Sequence, residues 1–271
     1  MYISGNIRLL KNLNQQHVLN IIRMNPGITA PEISRRTRLQ ISTVSYILKE
    51  LNQWNLIQKN GVGQSTVQGG KKPVLWDLQP QYGYILGLEI KPLEIRLVLI
   101  DFKGSVLYKK RFVTEFTQLN PVTIETIHQI IQQVIREKSL ETQNILGMGI
   151  GISGMIDDEE GRIIFSGAFG IKNYPFKHQM QAHYSFPVEI VNDANAGALC
   201  IKWYNHQQSM VPHILYSNIN ENHYRLGIGI GFIINHELFT GAHGVAGERR
   251  YAPPPPVYRQ LMEHEIGRAH V

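Results

Sequence analysis

Cysteine is almost missing from this chain: Cys200 is the only one in 271 residues. A lone thiol excludes an internal disulfide framework and any zinc site built from cysteines alone, which suits a reducing cytoplasm. No apolar run reaches the roughly 20 residues that a membrane-spanning helix needs. No N-terminal stretch has the basic, apolar, small-residue order of a secretory signal. A soluble cytoplasmic protein without a membrane partner is therefore expected. Acidic residues are scarce at one end. Residues 1–80 hold 10 of the 27 Lys and Arg but 3 of the 21 Asp and Glu, a net of +7, which leaves 17 basic against 18 acidic residues for the remainder. The whole net charge of +6 thus lies on the first third. A basic end on a nearly neutral body has the charge of a nucleic-acid-binding domain joined to something else, though a solvated basic surface gives the same sums. The remaining composition, 43% hydrophobic with 24 scattered glycines, is that of a globular chain long enough for two domains.

Within the basic third, QQHVLNIIRMNPG repeats Val18, Leu19, Ile21 and Ile22 at helical spacing and stops at Pro26-Gly27. ITAPEISRRTR offers Thr29 as N-cap with Glu32 three residues on, a capping box with Pro31 in the first turn. LQISTVSYILKELNQWNLI starts a third helix at Ser42 and buries Val44, Ile47, Leu48 and Leu51 on one stripe. Two β-like runs, NLIQKN and VLWDL, flank GVGQSTVQGGKKP, which reads as a hairpin with a basic, glycine-rich tip. Three short helices and a wing make a winged helix-turn-helix, whose third helix enters the major groove of double-stranded DNA. On this reading Gln40, Ser42, Thr43 and Tyr46 face base edges, and Arg35, Arg36, Arg38, Lys71 and Lys72 face phosphates. Docking of the head on a protein partner remains an alternative.

From Tyr82 the texture changes. YGYILGLEI, EIRLVLIDF and SVLYKKRFV are consecutive strands, and an amphipathic helix follows from Pro121 to about Lys138. ILGMGIGI and PVEIV are further strands, and ANAGALCIKWY is a helix. A β-β-β-α-β-α order is that of the sheet lobe in the actin, hexokinase and Hsp70 superfamily. A Rossmann fold fits less well, because a meander opens the domain and no GxGxxG follows the first strand. The expected fold is α+β in two domains: a winged helix-turn-helix over residues 1–80, then a ribonuclease-H-like α/β lobe over 81–205. Residues 206–264 open an incomplete second lobe, and EIGRAHV, from Glu265 on, looks like a translated oligonucleotide adapter and so a non-native tail on a truncated reading frame.

Taken together, the three-helix head followed by GGKKP, the GIGISGMID turn, YPF before PVEIVNDANAGAL, and LGIGIGFIINHELFTGAHGVAGE resemble the ROK family of repressors and sugar kinases. The matches keep the family's order from about Gln15 to Glu248. The resemblance implies sugar hydroxyl contacts from Gly154, Asn192, Asp193 and Glu248, with Asp193 at the position of the family kinases' general base. Those kinases hold phosphate with a D-x-G-G-T turn, whose glycines let backbone N–H groups approach the phosphate oxygens. This chain reads GLEIKPLEI there, with Lys91 and Pro92 in place of the glycines and Glu89 in place of the Asp. Proline also removes a donor. No catalytic residue and no cofactor is therefore expected, and Asp193 becomes a ligand for a sugar or sugar phosphate effector.

Some readings stay open. Asn192 and Asp193 could serve only to cap the helix that follows, and the glycines of LGIGIGF fit close approach to a ligand or plain strand turning equally. The family's cysteine-rich zinc loop is missing after AGE, where Arg250 and Tyr251 stand in AGERRYAPPPP, and His236 and His243 are the nearest histidine pair, so no metal is expected. A sugar-responsive transcriptional repressor, working as a homodimer or higher oligomer on operator DNA, is the leading expectation. The alternative is a ROK-type sugar kinase with an accessory DNA-binding domain.

Overall fold

The computed structural model describes residues 7–64, 72–157, 159–204, 211–222, 225–241 and 244–247. The head begins with α1 (Ile7–Met24), which buries Val18 and Ile22 and ends before Gly27, at φ 80°. A two-residue strand β1 (Ile28–Thr29) leads into α2 (Ala30–Thr37). The expected capping box is present: the Glu32 N–H donates to the Thr29 hydroxyl, and the Thr29 N–H donates to the Glu32 carboxylate at 3.0 Å. Arg38 takes a left-handed conformation, φ 59°, and turns the chain into α3 (Ile41–Gln53). That helix starts one residue before Ser42, with Gln40 as an N-cap that makes no side-chain bond.

The stripe Val44, Ile47, Leu48 and Leu51 is buried as its spacing predicts, against Ile33, Trp76 and Leu78. β2 (Ile57–Val62) and β3 (Val74–Leu78) form the wing's strands, and β1 joins β3 on its other edge, giving the order β1-β3-β2. β1 is too short to show in the sequence pattern. Lys71 and most of the wing tip lie outside the described residues.

The lobe is built on β4 (Tyr84–Lys91), β5 (Glu94–Asp101), β6 (Val106–Val113), β7 (Ile145–Ile152) and β11 (Val188–Asn192), in the order β11-β7-β4-β5-β6. β4, β5 and β6 form the antiparallel meander, whereas β7 and β11 run parallel to β4. α4 (Pro121–Glu137) packs Ile124, Ile127, Ile131 and Val134 into the core, at the spacing of one helix face. Between β7 and β11 the chain inserts a small sheet that the sequence reading does not contain: β8 (Met155–Asp157), β9 (Arg162–Ser166) and β10 (Ile171–Tyr174), followed by α5 (Phe176–Gln181). After β11 comes α6 (Asp193–Tyr204), and then the antiparallel sheet of β12 (Ile214–Asn222), β13 (Arg225–Ile234) and β14 (Glu237–Phe239). No helix among the described residues is long and apolar enough to cross a membrane.

Candidate functional site

In α/β sheets, ligands bind at the carboxyl ends of parallel strands. Here the ends of β4, β7 and β11 come together, because Glu89 is in register with Gly151, and Ile152 with Asn192. Asn192, 7% exposed, ends β11 and caps α6. Its Oδ1 accepts from the N–H groups of Ala194 (2.8 Å) and Asn195 (3.2 Å), and its Nδ2 donates to the carbonyl of Gly154 at 3.0 Å. Gly154 is at φ 136°, and a Cβ there would sit 2.5 Å from the Phe165 carbonyl oxygen, so only glycine fits the turn. Two of the sequence-predicted site residues are thus bonded to each other through the cap.

Asp193 is the first residue of α6 and half-buried. Its Oδ1 accepts from the Ala194 N–H at 3.0 Å, and its own backbone N–H also bonds the carboxylate. Burial pushes its carboxyl above the ordinary aspartate range; Lys91 draws it down and Glu89 pushes it up. The helix cap is therefore supplied by Asn192, and the Asp193 carboxylate, with about four lone-pair sites in all, keeps acceptor capacity for another partner. Glu248 lies outside the described residues, as do His243, Arg250 and Tyr251.

Sequence reasoning passed over Asn195, the second amide of the NDAN motif, which is 4% exposed with a buried Oδ1 that lacks a hydrogen-bond partner among the described residues. Its place three residues after Asn192 was the available signal. The glycines of LGIGIGF also have an explanation in packing. A Cβ on Gly231 would overlap the Ala194 carbonyl, and one on Gly229 would come 3.1 Å from the Ala194 Cβ, so both let β13 lie directly on α6.

The turn after β4 differs in kind from a phosphate cradle. Pro92 has no N–H, and Leu93, at φ 64°, donates its own N–H to the Phe116 carbonyl at 2.9 Å. Proline followed by a residue in the left-handed region is the pattern of a type II turn. Side chains around it are paired with one another: Lys91 with Glu89 at 2.7 Å, Arg96 with Glu89 at 3.1 Å and with Glu94 at 2.6 Å, and Arg111 with Glu94. Among the described residues no group of three or more His, Cys, Asp or Glu is placed to hold a metal ion.

On the head, Gln40 is exposed at the N-cap of α3, Ser42 and Tyr46 are exposed on the helix, Thr43 is half-buried, and Arg35, Arg36 and Arg38 are exposed around the end of α2. Tyr46 is steadied by α1, since Lys11 lies over its ring at 5.2 Å and also pairs with Glu50 at 2.6 Å. Ser45 and Lys49 share the exposed side of α3 and were missed, although their spacing from Ser42 puts them there. A groove of about 610 Å³ runs between α3 and the wing, lined by Ser45, Lys49 and Asn52 on one side and Lys59, Lys72 and Val74 on the other. It sets Lys59 and Lys72 of the wing across from Lys49 of the helix that would face DNA.

Residues 85–254 match the model of the ROK family, and residues 12–64 that of the MarR family. The chain belongs to the ROK family. The xylose repressor of Caldicellulosiruptor bescii is 31% identical over 244 residues, covering 90% of this chain and 59% of the relative. The xylose repressor of Bacillus subtilis is 30% identical over 239 residues, 88% of this chain and 60% of the relative. Among solved structures, a ROK family transcriptional regulator described as a homolog of the Escherichia coli MLC protein superposes with a TM-score of 0.70 at 20% identity, over 91% of this chain and 60% of that one. The likeness fixes the fold: a winged helix joined to an actin-like lobe. The chain spans about three fifths of the length of the curated relatives it matches.

Proposed function

We propose that this ROK protein is a sugar-responsive transcriptional repressor of genes for carbohydrate uptake or catabolism. Its operator is double-stranded DNA, read by α3 through Gln40, Ser42, Thr43 and Tyr46, with Arg35, Arg36, Arg38, Lys71 and Lys72 on phosphates. The effector lies at the strand ends, where Gly154, Asn192 and Asp193 supply polar contacts, and Glu248 is the further contact that the family resemblance implies. Relatives at about 30% identity are named xylose repressors, which makes D-xylose the first sugar to try. The two readings of Asp193 are compatible here, because the amide beside it does the capping and the carboxylate keeps acceptor capacity.

The observation that carries this reading over the kinase alternative is the turn after β4. A phosphoryl-transfer site works mainly by positioned contacts to phosphate oxygens. In this turn one backbone donor is missing at Pro92 and the next is spent on Phe116. Lys91 and Arg96 are neutralised by Glu89 and Glu94. A general base at Asp193 without such contacts leaves a sugar site without a kinase.

Selection of bound duplexes from a random pool by the protein, followed by affinity measurement with and without D-xylose, tests the reading. Enrichment of one motif and weaker binding in sugar support it. An ATP turnover on D-xylose or D-glucose above the rate without protein would instead establish the kinase.

A further inference from the structure

The last turn of α6 meets the head. Arg23, in the last turn of α1, lays its guanidinium over the Trp203 ring at 3.8 Å from the centroid, and its Nη1 donates to the Trp203 carbonyl at 3.1 Å. The Tyr204 hydroxyl donates to the carbonyl of Gly104 at 2.9 Å. Gly104, at φ 92°, stands in the β5–β6 turn, where a Cβ would lie 3.6 Å from the Tyr204 ring and 3.7 Å from that of Trp203. The same turn touches the head directly: Phe102 packs on the head's core and on Tyr82, and Lys103 pairs with Asp77, which is buried in β3.

The other end of α6 is Asp193 with its cap, Asn192. Between the two ends small residues seat the helix closely against both sheets. Ala196 faces Gly151 of β7, Gly197 lies under the Tyr216 ring of β12, and Ala194 and Ala198 press on Gly231 of β13. Such contacts leave no gap to absorb a displacement, since packed interfaces shift between discrete arrangements and do not deform continuously. A helix of 12 residues spans roughly 18 Å.

We propose that α6 is the strut that couples the sugar site to the DNA-binding head, with Arg23 and Trp203 as the positioning residues that set the head's orientation. This rests on the reading of Asp193 as a sugar contact. A sugar that draws the sheet ends together moves the N-terminus of α6 between its two sheets. The intrahelical hydrogen bonds carry that movement to Trp203, and the head follows through Arg23. A planar guanidinium stacked on an indole transmits orientation as well as proximity, which a lysine ammonium does not.

Two arms test the strut. In the first, without sugar, the protein and its Trp203→Phe variant are titrated with a duplex enriched by the selection above. The emission difference between them isolates Trp203 from Trp54 and Trp76. A change in that difference on DNA binding is expected, and a constant difference overturns the strut. In the second, Arg23→Lys and Trp203→Leu are compared with the parent for D-xylose affinity by calorimetry and for duplex affinity with and without D-xylose. Parent release by a coupling of about tenfold should vanish in both variants while sugar affinity stays at the parent value. Variants that bind sugar and release DNA as the parent does refute the proposal. A parent that binds no D-xylose counts against the effector reading alone, and the emission arm then decides the strut.

Discussion

Asp193→Asn should weaken sugar binding while leaving the fold as stable as before or more so. Asparagine is nearly isosteric with aspartate, and the cap of α6 belongs to Asn192, so the helix start survives the change. At the helix start the carboxylate accepts from the Ala194 N–H and from its own N–H, which leaves lone-pair capacity for a ligand. One charge-assisted bond to a sugar hydroxyl is then at stake, worth about 1.5 to 3 kcal/mol. At about 1.4 kcal/mol per decade, sugar affinity should fall about tenfold to a hundredfold. The stability side has the opposite sign. Burial raises the folded-state pKa of Asp193, so between its ordinary value of about 3.9 and the raised one the folded state holds more protons than the unfolded chain. The parent therefore loses stability as pH rises through that window, and the variant lacks this loss. Calorimetry with D-xylose and thermal melts across the acid range read the two effects separately. An unchanged sugar affinity would reduce Asp193 to a helix-end residue, and a lower melting temperature at neutral pH would refute the charge argument.

Other consequences are as specific. Lys49→Ala with Lys72→Ala should weaken binding to all duplexes alike and flatten the salt dependence, because each lysine lost from the groove beside α3 removes about one phosphate contact; an unchanged salt slope would remove the groove from the interface. Thr29→Ala breaks the capping box and should destabilise the head by about 1 kcal/mol, read as a lower melting temperature with unchanged D-xylose affinity. Gly197→Ala drives a methyl into the Tyr216 ring and should lower stability markedly, whereas Gly149→Ala, with open space around its Cβ position, should be tolerated far better.

Legibility followed the range of the interactions. The α3 stripe and the Thr29–Glu32 box depend on residues a few positions apart, and both are present where the spacing put them. The NDAN segment was legible as a strand-to-helix junction, but its division of labour was not. Which of two adjacent polar residues caps α6 depends on the Gly154 carbonyl, 38 residues away. Proline at position 92 announced a missing donor, yet that Leu93 gives its N–H to Phe116 is decided by how the chain returns past β6. β8, β9 and β10 escaped because strands of 3 to 5 residues carry too little alternation to register. The clamp of Arg23 on Trp203 spans 180 residues and has no sequence signature at all.

The most direct test of the central claim is linkage between the two ligands in one protein. Affinity for D-xylose is measured by calorimetry with and without a saturating enriched duplex, and duplex affinity is measured by fluorescence anisotropy with and without D-xylose. A repressor released by its sugar must show the same factor in both directions, because coupling free energy is reciprocal. The account predicts a weakening of about 5- to 150-fold in each measurement, equal within error. Sugar and duplex binding that ignore each other would contradict it.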